Sequence, residues 1–287
     1  MNILSLEDSN TFIINLLQKN EPFLITRLGY ANSIFSSNYH ANIPIVNLQN
    51  IMQIMASHDG IYHDSNENAI IYAKKYNEAI KNSSALATFH SIYNKQQDYY
   101  ISTFNLKSIN SRVLEPFYYC LENIKPWSHY LIGKKVLIIN PFVESFKKQI
   151  DANFQIFKDP EKKIFLHGQE FVFYKSYQCL AGNKPHNNWL ETYEIMCNDI
   201  KDLDFDIALL ACGGYGLPLC NYIYKDLNKS AIYIGGGLQL LFGVMGKRWE
   251  NNEIWNKIIK ENDTKFIKPS ALEMLKNNEK IEGGCYW

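Results

Sequence analysis

Residues 204–249 read DFDIALLACGGYGLPLCNYIYKDLNKSAIYIGGGLQLLFGVMGKRW, two consecutive units of apolar strand, glycine turn and helix. Residues 207–212 form an unbroken apolar run of strand length, the pattern of a strand buried on both faces of a parallel sheet. Gly213, Gly214 and Gly216 follow around Tyr215, and residues 217–227 then carry apolar side chains at helical spacing. Residues 231–234 repeat the strand, Gly235, Gly236 and Gly237 the turn, and residues 238–244 the helix, with Gln239 at its start. Glycine where a strand gives way to a helix lets the backbone approach a ligand closely. The free N–H groups and dipole of a helix start favour an anion, most often phosphate. Two such turns about twenty residues apart imply adjacent crevices at one edge of a sheet, where open α/β folds bind ligands. The same glycines would also serve if they only allowed helices to pack tightly on strands.

Outside this core, strands and helices alternate. Helical patterns cover residues 6–19, 48–55, 69–80, 112–124 and 189–200, one follows 142 through Ile150, and another covers 253–259. Strand patterns cover 23–26, 85–90, 134–139, 164–166 and 171–174. His58-Asp59-Gly60 reads as a turn. No repeat or long linker interrupts the order, which predicts one α/β domain over residues 1–287. Its mostly parallel, Rossmann-like sheet is flanked by helices, and its nucleotide-binding core spans about 130–249.

The charges cancel, 29 basic against 29 acidic, so nothing argues for nucleic acid or an anionic membrane as partner. No apolar run reaches the roughly twenty residues of a transmembrane helix. The first twenty residues carry Glu7 and Asp8 and lack a basic signal-peptide start, so the expectation is a cytoplasmic chain. The six cysteines show neither CxxC pairs nor metal-ligand spacing.

Candidate chemistry gathers at strand ends. Arg27, followed by Gly29, suits a phosphate or carboxylate. Asn140 ends another strand, and Glu144 lies just beyond, within reach of the crevice or at a solvated helix start. Lys247 and Arg248 beside Trp249 suit a diphosphate and a base. Residues 174–189 form a polar, aromatic segment fit for an acceptor sugar, with His186 as a candidate general base. Gly213-Gly214-Tyr215-Gly216 has the wrong spacing for a dinucleotide fingerprint, no Walker lysine follows either turn, and no GxSxG occurs. These absences exclude NAD enzyme, P-loop NTPase and α/β-hydrolase.

RLGYANS (27–33), HDGIY (58–62), RVLEPFYY (112–119), PWSHYLIGKKVLIINPF (126–142), the 204–249 core and EGGCYW (282–287) resemble a bacterial family of polysaccharide-locus proteins of uncharacterised activity. That family is in turn similar to glycosyltransferases of the GT-D fold. The resemblance spans nearly the whole chain and implies transfer of a sugar from a nucleotide-sugar donor to a surface-glycan acceptor. GT-D enzymes carry an Asp-x-Glu metal motif after their Arg-x-Gly strand end, whereas this chain has Tyr30-Ala31-Asn32 there. A Mg or Mn ion stays open, but its usual ligands are missing, and Arg27, Lys247 and Arg248 are expected to carry the charge instead. The alternatives are a non-catalytic nucleotide-sugar or glycan-assembly binding protein and a cofactor-dependent sugar-modifying transferase; a homo-oligomer is left open. Two aromatics in the closing Gly-Gly-Cys-Tyr-Trp predict that this segment docks on the domain, carrying Glu282 to the crevice as a candidate general base.

Overall fold

The computed structural model describes residues 3–89 and 94–287. Seven strands pair in parallel throughout: β1 (Leu24–Arg27), β2 (Ala85–Thr88), β3 (Ser108–Asn110), β4 (Lys135–Asn140), β5 (Glu170–Lys175), β6 (Ile207–Leu210) and β7 (Ser230–Tyr233). Their order is β3-β2-β1-β7-β6-β4-β5. The expected Rossmann-like α/β architecture is present, and the sheet is wholly rather than mostly parallel.

Successive strand residues alternate between two cores, as the two-residue period of a strand requires. Ile25, Val136, Ile138, Ile207, Leu209 and Ile232 join one cluster. Leu24, Leu137, Ile139, Ala208, Leu210 and Ala231 join the other. The Leu6–Lys19, Val143–Asp151 and Glu253–Asn262 helices cover the first face through Ile13, Phe146 and Trp255. The Tyr30–His40, Asn66–Lys81, Trp189–Ile200 and Gly216–Lys225 helices cover the second through Phe35, Tyr72, Met196 and Leu219. Both faces being covered is what makes continuous apolar strands stable in a parallel sheet.

The helix expected over 238–244 stops at Leu241, and two other expected elements differ more. The helix over 112–124 is broken into a 3-10 turn, Ser111–Leu114, and a short helix, Phe117–Leu121. Pro116 disfavours helical backbone at the residue before it, and Glu115 is accordingly not helical, with φ −116° and ψ 87°. Residues 164–166 form no strand. The Lys163 and Ile164 carbonyls accept from His129 Nε2, at 2.6 Å, and Ser128 Oγ, so they are not free for a ladder. The end of the expected 85–90 strand, from His90, lies outside the described residues. No described helix is long and apolar enough to cross a membrane, and all six cysteines are free and buried.

The connections position the site. From β4 the chain passes to β5 on one side, and from β6 to β7 on the other, so the two strands diverge at their carboxyl ends and open a crevice. Residues 281–287 close over that edge as expected: Ile281, Cys285 and Trp287 are buried, and Cys285 and Trp287 accept from the Arg248 and Lys247 amides.

Behind this closure sits Glu273, fully buried. Its carboxylate accepts from the Glu144 and Ser145 amides at 2.9 and 3.3 Å, capping the helix that leaves β4, and from the Ser145 and Ser270 hydroxyls. Its carbonyl accepts from Gln178 Nε2 and Trp287 Nε1. Glu273→Ala keeps the carbonyl but leaves the Glu144 and Ser145 amides and the Ser145 and Ser270 hydroxyls without their carboxylate partner. It is expected to lower unfolding free energy by about 2–3 kcal/mol, measured by urea denaturation at pH 7.

Candidate functional site

A cavity of about 460 Å³ lies at the carboxyl ends of β1, β7, β6 and β4. The two glycine turns open onto this one cavity rather than onto two crevices. Of the residues expected to hold ligand, Arg27, Gly29, Asn140, Gly213, Tyr215, Gly235, Gly236, Gln239, Arg248 and Glu282 line it. Gly214, Gly216, Gly237, Lys247, Glu144 and His186 are not among its lining residues.

Those six have other roles. A Cβ at Gly214, Gly216 or Gly237 would overlap Ile61, the Tyr233 ring or the Glu115 carboxylate, so these three glycines serve packing. Lys247 Nζ donates to the Gly283 carbonyl at 3.2 Å. Glu144 is an exposed helix-start residue paired with Lys147 at 2.9 Å. His186 places Nδ1 3.0 Å from Thr192 Oγ1 and stacks edge-on against Tyr177, fastening its loop to the following helix.

Several lining residues are committed to the backbone. Asn140 ties two strand ends together, donating to the Ala211 carbonyl at 3.0 Å and accepting from the Phe142 amide at 2.8 Å. Gln239 donates to the Tyr286 carbonyl at 3.2 Å and so holds the closing segment. The first glycine turn is pinned by tyrosines: Tyr233 donates to the Gly213 carbonyl at 2.8 Å and Tyr72 to that of Gly214 at 2.9 Å. Gly213 and Gly235 hold φ of +60° and +77°, which glycine alone adopts at no steric cost. At Gly235 that also admits Arg27, whose guanidinium would meet any Cβ there.

Four polar atoms on lining residues are buried with no hydrogen-bond partner among the described residues: Arg27 Nε, Asn32 Oδ1, Asp59 Oδ2 and Gln178 Oε1. Each such atom costs about 1–3 kcal/mol in an empty fold, and native proteins carry few of them. One is a cationic donor and three are acceptors. Arg27 lies over the Phe89 ring, 4.6 Å from its centroid, and gives a long bond to the Ile234 carbonyl, at 3.4 Å. Gln178 has its amino group on the Glu273 carbonyl, which leaves its oxygen over.

Arg248 stands at the rim, donating to Glu282 at 2.6 Å and to the Tyr286 hydroxyl at 3.2 Å, with its charge 4.6 Å from the Tyr286 ring. Burial raises the Glu282 carboxyl, but the bond and charge of Arg248 outweigh it and hold the group below its usual range. Asp59 is the opposite case. It ends a π-helical turn, Met55–Asp59, a rare geometry that often marks functional sites. Its backbone carbonyl abuts Gly213 and Gly214, 3.1 and 2.9 Å from where their Cβ atoms would be. Burial alone, with no cation beside it, pushes its carboxyl up to about 7.

Asn32 and Asp59 were not among the expected site residues, whereas Gln178 falls within the 174–189 segment expected at the acceptor. A carboxylate directly before the helix-ending Gly60, and an amide one turn into the helix after Arg27, were the available signals. Among the described residues no three His, Cys, Asp or Glu side chains gather as a metal site. Of the two carboxylates on the cavity wall, Glu282 is taken by Arg248 and Asp59 has only amide side chains to join it, so the residues present do not fit a hard divalent cation, which needs several close oxygens. Comparison with protein-family models, curated proteins and solved structures yields no match.

The shifted carboxyl sets a pH dependence. Between the ordinary aspartate value and about 7 the folded chain holds a proton on Asp59 that the unfolded chain has released. Its contribution is therefore complete at low pH and lost as pH rises to 7. Asp59→Asn, which is neutral throughout, is expected to melt a few degrees above the parent at pH 8, with the gap closing toward pH 5, read by thermal denaturation across pH.

Proposed function

We propose that the chain is a glycosyltransferase that moves a sugar from a nucleotide-sugar donor to a glycan hydroxyl without a metal ion. The observation that carries this is the unmet polar set of the cavity wall: three buried acceptors together with an incompletely bonded arginine. Sugar hydroxyls donate to such acceptors, and a diphosphate matches guanidinium groups. Arg27 at the floor and Arg248 at the rim would bracket the diphosphate and offset the charge that builds on it as the sugar leaves. Glu282 orients Arg248, and Tyr30, Tyr177 and Tyr286 offer aromatic surface for base and sugar. The volume suits a small-molecule site, for which about 300–1,000 Å³ is usual. The motif resemblance to GT-D glycosyltransferases points the same way. The acceptor would enter beside residues 177–180, the part of the 174–189 segment that borders the cavity.

A panel of UDP-, GDP-, CMP- and dTDP-linked sugars at millimolar concentration is expected to contain at least one that raises the melting temperature. No rise with any of them would defeat the reading, and tight binding without release of nucleotide in the presence of cell-wall glycan would favour a non-catalytic binder. Arg27→Met keeps the aliphatic stem and loses the guanidinium. It is expected to weaken the stabilising donor about ten- to a hundred-fold, the worth of a lost charge-assisted contact, measured by calorimetric titration.

A further inference from the structure

We propose that Asp59 is the general base of this site, taking the proton from the acceptor hydroxyl that attacks the donor sugar. The inference rests on the glycosyltransferase reading and assigns the residue that performs its proton transfer.

Asp59 is the lining carboxylate whose Oδ2 has no partner among the described residues. The other lining acid, Glu282, is tied to Arg248 at 2.6 Å, which weakens it as a proton acceptor. Glu144 and His186 do not border the cavity. His58 does border it, exposed and with Nδ1 2.7 Å from Ser57 Oγ, and comparison with D59N separates it from Asp59.

The surroundings make the Asp59 carboxylate a stronger base than an exposed aspartate. Around it stand His58 on its own turn, Cys179, Cys212, and the hydroxyls of Tyr72 and Tyr215. Burial raises the Cys179 thiol to about 11 and pushes Cys212, Tyr72 and Tyr215 well up, so all four stay neutral. Arg27, Arg248 and Glu282 are the charged groups elsewhere on the wall. A carboxyl raised to about 7 is half ionised at neutral pH, where a general base works best. The broad two-fold torsion of an aspartate lets its oxygens exchange toward the cavity.

In the step, Asp59 accepts the hydroxyl proton as the acceptor oxygen forms its bond to the anomeric carbon. The bond from that carbon to the diphosphate oxygen breaks with its electron pair, and nucleoside diphosphate leaves against Arg27 and Arg248. For a CMP-linked donor the leaving group is the monophosphate. One base and one displacement invert the anomeric centre.

The test uses the full chain and whichever donor of the four-nucleotide panel stabilises it, with cell-wall glycan as acceptor. D59N is expected to fold, to bind that donor within about three-fold of the parent, and to release nucleotide at least 100-fold more slowly. The parent's kcat/KM should rise with pH through about 7, and this limb should vanish in D59N. Turnover by D59N within three-fold of the parent, or an unchanged limb near 7, overturns the inference and leaves the glycosyltransferase reading intact. A parent that binds no donor or releases no nucleotide overturns both. Should D59N not fold, the parent profile decides, since a flat kcat/KM from pH 5.5 to 8.5 overturns the role.

Discussion

Parallel pairing of β1, β7, β6 and β4 is the constraint from which the rest of the site follows. In a parallel sheet every carboxyl end lies at the same edge, so four chain segments distant in sequence must leave the sheet side by side. Arg27, Asn140, Ala211 and Tyr233 become neighbours for that reason alone. The divergence of the β4 and β6 connections then keeps the edge from closing on itself. Helices on both faces protect the sheet, and the closing segment, held by Glu273 and Gln239, covers part of the gap.

The cavity wall gathers four of the buried polar atoms that find no partner among the described residues. Asn140, Gln239 and the tyrosines of the first turn all find partners, whereas Arg27 Nε, Asn32 Oδ1, Asp59 Oδ2 and Gln178 Oε1 do not. A cavity wall on which several such atoms gather is where function is expected, because a ligand supplies the missing partners. The mixture also distinguishes ligand types. Buried acceptors repel an anion and attract hydroxyls, while guanidinium groups do the reverse, so the wall as a whole favours a molecule carrying both.

The glycine turns illustrate how one pattern can have two physical causes. Read as phosphate cradles, they are partly packing devices: Gly216 makes room for Tyr233 and Gly237 for Glu115. Yet Gly235 admits Arg27, and Gly213 and Gly214 admit the backbone that carries Asp59. The bare positions thus serve the site by letting its polar groups approach the sheet edge, beyond any contact of their own with ligand.

The sequence by itself determined the elements whose periodicity is long or whose apolar run is unbroken: the helices from Leu6 and Trp189, the strands at Ile207 and Ser230, and hence the parallel α/β class. It also placed Arg27, Gly213, Gly235 and Arg248 at strand and helix ends, because local backbone chemistry marks such ends. What it left to tertiary structure are the properties that depend on neighbours remote in the chain. Pro116 turned an amphipathic pattern into two short pieces, and the Lys163 and Ile164 carbonyls were taken by side chains from residues 128 and 129. Glu144 and His186 had the right chemistry and found local partners instead. Asp59 looked like any turn aspartate, since its basicity comes from burial against residues near 179 and 213. Desolvation is a property of the assembled surroundings, and no local pattern of residues records it.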